Sequence, residues 1–261
     1  MFQNPQREVK MLRYGTTILV IFFGIRLSAA QEILPAQSIF VIDCPTAATL
    51  DRGSFLGEIR AYSLGGLQGG VKVGLSDRFM IGISYGGSNI IGEGNVDWNP
   101  YPGVQVRYRL FHEQVNIPAI SLGFDNQGYG SYIDSLERYS EKSKGVFIAA
   151  SKSFRFLGAL AFHGGANYSF ETGDGDRDLN GFIAMEKSIN EEIGVFVEYD
   201  LAMNDNREDH IGSGKGYLNA SLKWSFGDQV FIDFVWKNIL ENKNNQPHSS
   251  RQIRLYFVQY F

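Results

Sequence analysis

One cysteine, seven prolines, a formal net charge of only −4 and no apolar run of membrane-helix length beyond residue 30 set the outer bounds on this 261-residue chain. With Cys44 as the sole cysteine, neither an intrachain disulfide nor a cysteine metal cluster is possible. Val41-Ile42-Asp43 lacks the small residues that lipid attachment at Cys44 requires, so the expectation is a lone thiol in a periplasmic tail. The net charge is too weak to imply nucleic acid as a partner, and none is expected. What is present in excess is Phe (20), Tyr (13) and Gly (30), a bias that fits many strands, tight turns and aromatic girdles.

The first 30 residues read as an export signal. Arg7, Lys10 and Arg13 precede the apolar stretch Thr16 to Ile25, and Ser28-Ala29-Ala30 offers a small-residue cleavage site. That stretch is too short to span a bilayer, and Arg26 interrupts it. The expected organisation is a signal peptide at 1–30, a periplasmic N-terminal segment at 31–52, and one barrel at 53–261.

From Gly53 onward the alternation of apolar and polar residues predicts twelve strands, near 54–63, 70–76, 79–87, 103–111, 119–126, 145–154, 157–169, 180–189, 193–203, 216–226, 230–240 and 251–261. Short and long connections alternate between them, as in a membrane barrel with short turns inside and long loops outside; the one exception is the short Leu64–Gly69 connection. The expected fold is therefore all-β: an antiparallel up-and-down transmembrane β-barrel of about 12 strands in a bacterial outer membrane. An even strand number puts both termini in the periplasm. Its first partners would be outer-membrane lipid and the outer-membrane insertion machinery.

Where alternation is clean the faces can be assigned. Val104, Val106, Tyr108 and Leu110 would meet lipid opposite inward Gln105, Arg107 and Arg109, and Ile253 and Leu255 would meet lipid opposite Arg254. The 145–169 region is ambiguous, because glycine and alanine occupy both faces. A charge facing lipid at mid-bilayer costs roughly 2–4 kcal/mol, so the charged strand residues are expected in the lumen. These are Glu58, Arg60, Lys72, Arg107, Arg109, Asp125, Glu198, Asp200, Lys223, Asp233, Lys237 and Arg254. They fit a selectivity lining for an anionic solute such as a sugar acid, with Arg60, Lys72, Arg107 and Arg109 as contacts. They fit also a mutually paired network filling a narrow lumen, and the near balance of signs favours that second arrangement.

No catalytic residue and no cofactor is assigned. His210, after Asp205, Glu208 and Asp209, is the one candidate for a surface hydrolase at the rim, and no histidine lies in a serine or cysteine motif. Asp174, Asp176 and Asp178 alternate as calcium ligands do, with Asn180 continuing the spacing. Leu179 and Met185 stand where a helical calcium loop needs glycine and glutamate, so no metal is assigned. Asp97-Trp98-Asn99-Pro100-Tyr101-Pro102 is a stiff aromatic loop, suited to stacking on a sugar ring or to an interfacial girdle.

Three stretches resemble the YjbH-like outer-membrane proteins associated with exopolysaccharide: Pro45-Thr46-Ala47-Ala48-Thr49-Leu50 leading into Gly53-Ser54-Phe55, Pro118 to Phe124, and Phe147 to Phe154. The resemblance covers roughly residues 45–165. It implies a non-enzymatic barrel acting in exopolysaccharide export or envelope structure, with polysaccharide or its export apparatus as a partner, and it carries no catalytic residues. Family members are typically longer, with more than one barrel-like unit. A narrow channel for small anionic or sugar solutes and a surface hydrolase are the alternatives.

Overall fold

Period-2 alternation puts every second side chain on the same face, and strands so patterned bury both their backbone groups and their charges only by closing into a barrel. In the computed structural model, which describes residues 38–206, 211–227, 229–243 and 250–261, they do so. The expected signal peptide lies outside the described residues.

The strands are β1 (Ser54–Tyr62), β2 (Gly66–Ser76), β3 (Phe79–Ser88), β4 (Asp97–Trp98), β5 (Gly103–Phe111), β6 (Ala119–Asp125), β7 (Tyr129–Ile133), β8 (Arg138–Glu141), β9 (Gly145–Arg155), β10 (Ala159–Tyr168), β11 (Asn180–Ser188), β12 (Ile193–Asp200), β13 (Tyr217–Phe226), β14 (Val230–Lys237) and β15 (Ser250–Tyr260). All but β4, β7 and β8 are staves of one closed antiparallel barrel, which matches the twelve expected. Closure is made by β1 on β15, with Ser54 opposite Tyr260. There the Phe261 amide donates to the Gly53 carbonyl at 2.8 Å, and the Phe261 ring lies 5.3 Å from that of Phe55. Strand β4 extends the edge of β3, and β7 and β8 form a separate hairpin within the long connection between β6 and β9.

The faces are inverted relative to a water-soluble protein. Ile59, Ile83, Val104, Tyr108, Leu122, Leu222, Phe234, Trp236, Ile253 and Leu255 are exposed on the outside, while Arg60, Lys72, Arg107, Asp233 and Arg254 are buried inside. The ambiguous strands resolve the same way, with Val146, Ile148 and Phe162 outward and Phe147, Ala149 and His163 inward.

One expectation is corrected. The segment at 31–52 was expected to lie in the periplasm, yet its residues 39–50 are all buried in the lumen, Cys44 completely. A twelve-stranded barrel encloses more space than its inward side chains fill, and this segment fills it. It forms a tight hairpin: Phe40 bridges Pro45, and the Val41 amide donates to the Cys44 carbonyl at 3.1 Å. Each interior apolar cluster is completed by it. Ile39, Phe40 and Leu50 pack on Leu56 and Met80; Val41 and Ile42 pack on Ala184, Phe196 and Val235; Cys44 packs on Phe147, Ala149 and Phe182. The barrel wall makes room at Gly74, where a Cβ would stand 2.0 Å from the Asp51 carbonyl oxygen.

Candidate functional site: the plugged lumen

The hairpin at 38–50, called the plug below, is held chiefly through its backbone. Among the predicted lumen residues, Arg107 Nη1 donates to the carbonyls of Ile39 (2.8 Å) and Ala48 (2.7 Å). Arg109 reaches Ala47 and Thr49, each at 3.3 Å. Arg254 reaches Ile42 at 3.0 Å and Val41 at 3.2 Å, and Arg60 reaches Ile42 at 3.1 Å. From the opposite wall, Glu198 Oε2 accepts the consecutive amides of Ile42, Asp43 and Cys44 at 3.1, 2.9 and 2.8 Å, while Asn219 donates to its other oxygen at 2.8 Å. The single charged plug residue in this cluster, Asp43, pairs with Arg60 at 2.6 Å and with Lys237.

The remaining predicted residues pair along the wall. Lys72 bonds Glu58 at 2.5 Å, and Arg254 Nε bonds Asp233 at 2.9 Å. Gln105 donates to Asp125 and Lys144 pairs with Asp200, whereas Lys223 donates to Ser38 of the plug. All twelve predicted residues are thus buried or half-buried inside the barrel. The difference from a mutually paired network is that much of the pairing runs to the plug, whose carbonyls and amides no residue-type pattern displays.

At the long-loop end a second segment closes the mouth. The β7–β8 hairpin folds inward, with the Tyr129 ring 4.0 Å from the Arg60 guanidinium carbon and Glu141 paired with both Lys237 and Lys243. Lys237 is therefore shared by the plug, through Asp43, and by the loop, through Glu141. Buried Arg138 binds Asp205 at 2.8 and 3.1 Å and Asp174 at 2.8 Å. Burial alone would raise the Asp205 carboxyl, but the Arg138 bonds and the Tyr217 hydroxyl outweigh it and hold it below the ordinary carboxylate range. Burial pushes Glu171 up, although its oxygens accept the amides of Tyr139 and Ser143, each at 2.9 Å.

Among the described residues, small cavities inside include one of about 30 Å³ beside Asp43, Lys144 and Asp200 and one of about 10 Å³ beside Glu58, Lys72 and Asp125. Each has room for roughly a water molecule or two.

The other candidates separate. Where calcium would sit, Asp174 instead meets Arg138 and Lys142. Trp98 stacks on Tyr85 at 5.7 Å. His210 lies outside the described residues. Adjacent strands bring Ser151, His163 and Glu186 into line, an alignment that no local sequence motif announces: Ser151 Oγ is 2.8 Å from His163 Nδ1, and His163 Nε2 is 3.4 Å from Glu186. Ser151 Oγ also accepts the Ala47 amide at 2.8 Å, so the plug covers the atom that a nucleophile would need free.

No protein-family model and no curated protein matches this chain. Solved structures similar to it include the KdgM porin (7% identity, 80% of this chain and 99% of that one, TM-score 0.46) and the NanC porin (12%, 80% and 98%, TM-score 0.40). A COG4313 outer membrane channel from Pseudomonas putida F1 is also similar (14%, 82% and 98%, TM-score 0.40). These are distant likenesses, and none is a YjbH-like protein.

Proposed function

We propose that this protein is a bacterial outer-membrane channel for small anionic solutes, held closed in this conformation by its own N-terminal segment and, at the long-loop mouth, by the β7–β8 hairpin. The apolar outer band supports a membrane location, since in water it would leave Ile83, Trp236 and Ile253 unburied. The short-turn end, where Gly53 meets Phe261, would face the periplasm. One observation carries the solute class. The wall arginines Arg60, Arg107, Arg109 and Arg254 bond to plug carbonyls, so withdrawal of the plug leaves a lumen lined with bases that have lost acceptors.

A polymer such as an exopolysaccharide is a poor fit for a lumen that thirteen residues of hairpin can fill, so a role in its export would be accessory. Envelope structure without conduction is the second reading, favoured by the completeness of the filling. Planar-bilayer recording separates the two. The mature chain should be nearly silent, and a chain lacking 31–50, shown folded by heat-modifiable migration, should open resolvable, anion-biased steps. Silence in both would leave the structural role.

A further inference from the structure

Arg107 is a charge buried in the lumen with no countercharge bonded to it among the described residues. It is fully buried, makes no ion pair with a carboxylate among the described residues, and its Nε and Nη2 have no hydrogen-bond partner. Its acceptors are two neutral carbonyls, both from the plug, and the rings of Phe40 and Phe147 stand 5.1 and 5.4 Å from its guanidinium carbon. Two residues along the same strand, half-buried Arg109 continues the row toward the short-turn end, again with only plug carbonyls and His112 as hydrogen-bond partners among the described residues. A carboxylate or phosphate oxygen is a stronger partner for a guanidinium than a carbonyl, and it matches the planar fork in pairs.

We infer that the plug and a small multivalent oxyanion compete for Arg107 and Arg109, so that the solute itself displaces the plug and clears the lumen beneath the β7–β8 hairpin. This rests on the channel reading above and adds its regulation. The oxyanion meets Arg109 first, at the short-turn end, and then takes the place of the Ile39 and Ala48 carbonyls at Arg107. The unpartnered Nε and Nη2 supply donors that the plug leaves unused. The ordering entropy of a thirteen-residue segment opposes docking of the plug, which keeps the exchange within reach of a ligand.

Cys44, the only thiol in the chain and fully buried in the plug, reports displacement directly. The mature protein in liposomes is treated with a polar maleimide while citrate or pyrophosphate is raised at constant ionic strength, with sucrose and potassium chloride as controls. Saturable acceleration of Cys44 labelling by at least tenfold, with either oxyanion and with neither control, is the expected result. Which oxyanion acts assigns the head group. In Arg109→Gln, which keeps both Arg107–plug bonds, the half-saturating concentration should rise at least fivefold. Equal labelling in all solutes, or acceleration that chloride reproduces, overturns the competition. Conductance of the chain lacking 31–50 is independent of that outcome, so failure of the competition and failure of the channel reading remain distinguishable.

Discussion

Glu198→Gln tests how the plug is held. In the native chain one carboxylate oxygen accepts three consecutive plug amides, and Asn219 donates to the other oxygen. Glutamine keeps the shape but removes the charge. Its amide oxygen can still face the plug, whereupon its NH2 group confronts the Asn219 NH2 and that bond is lost. A hydrogen bond to a charged group contributes roughly 1.5–3 kcal/mol and a neutral one about 0.5–1.5. Because three donors share one oxygen, their differences do not simply add, and the net loss in docking should be about 2–4 kcal/mol. At tenfold per 1.4 kcal/mol, protection of the amides at 42–44 against hydrogen exchange should fall about 30- to 700-fold. Peptides from β1 and β15 should exchange as in the parent. Exchange mass spectrometry on the folded protein in detergent reads both. Unchanged protection at 42–44 would refute the claim that Glu198 anchors the plug, and equal loss in the strands would mean that the barrel itself had loosened.

Two further predictions address the outer face and the mouth. Ile83 is 67% exposed in the middle of β3, so Ile83→Lys should cost roughly 2–4 kcal/mol in folding titrations from urea into lipid vesicles, and an unchanged midpoint would argue that this face does not meet lipid. At the mouth, the Asp205 carboxyl titrates lower folded than unfolded. Its stabilisation is therefore complete above the unfolded carboxylate range and is lost as pH falls through the folded value. Acid should release the β7–β8 loop below about pH 4, seen as pepsin nicking within 127–144. Asp205→Asn leaves Arg138 with Asp174 as its remaining ion-pair partner, costs about 1.5–3 kcal/mol and should allow nicking at neutral pH by a general protease; full resistance would remove Arg138–Asp205 as the latch.

Much of the barrel was legible because its signal is local. Arg107 between Val106 and Tyr108, and Arg254 between Ile253 and Leu255, declare their faces within three residues, and β5 and β15 obey. The strands at 145–169 did not, since small residues such as Ala149, Ala150, Gly164 and Gly165 carry no preference; only the packing of Phe147 and Phe182 against Cys44 decides which way they turn. The plug was missed although it left a trace. Ile39-Phe40-Val41-Ile42 is too apolar for a tail in water and too short for a stave, and it required a cover that nothing nearby in the chain supplies.

The sequence by itself determined the number of staves and which charges point inward, because a strand's two faces are set by alternation along a few neighbouring residues. Tertiary structure alone decided what those charges hold. Glu198 meets the Ile42 amide across 156 positions of chain, and Arg254 meets the Ile42 carbonyl across 212. Such partners are backbone groups, which every residue carries alike, so no residue type announces them, and only the closed volume of the barrel determines which segment comes to fill it.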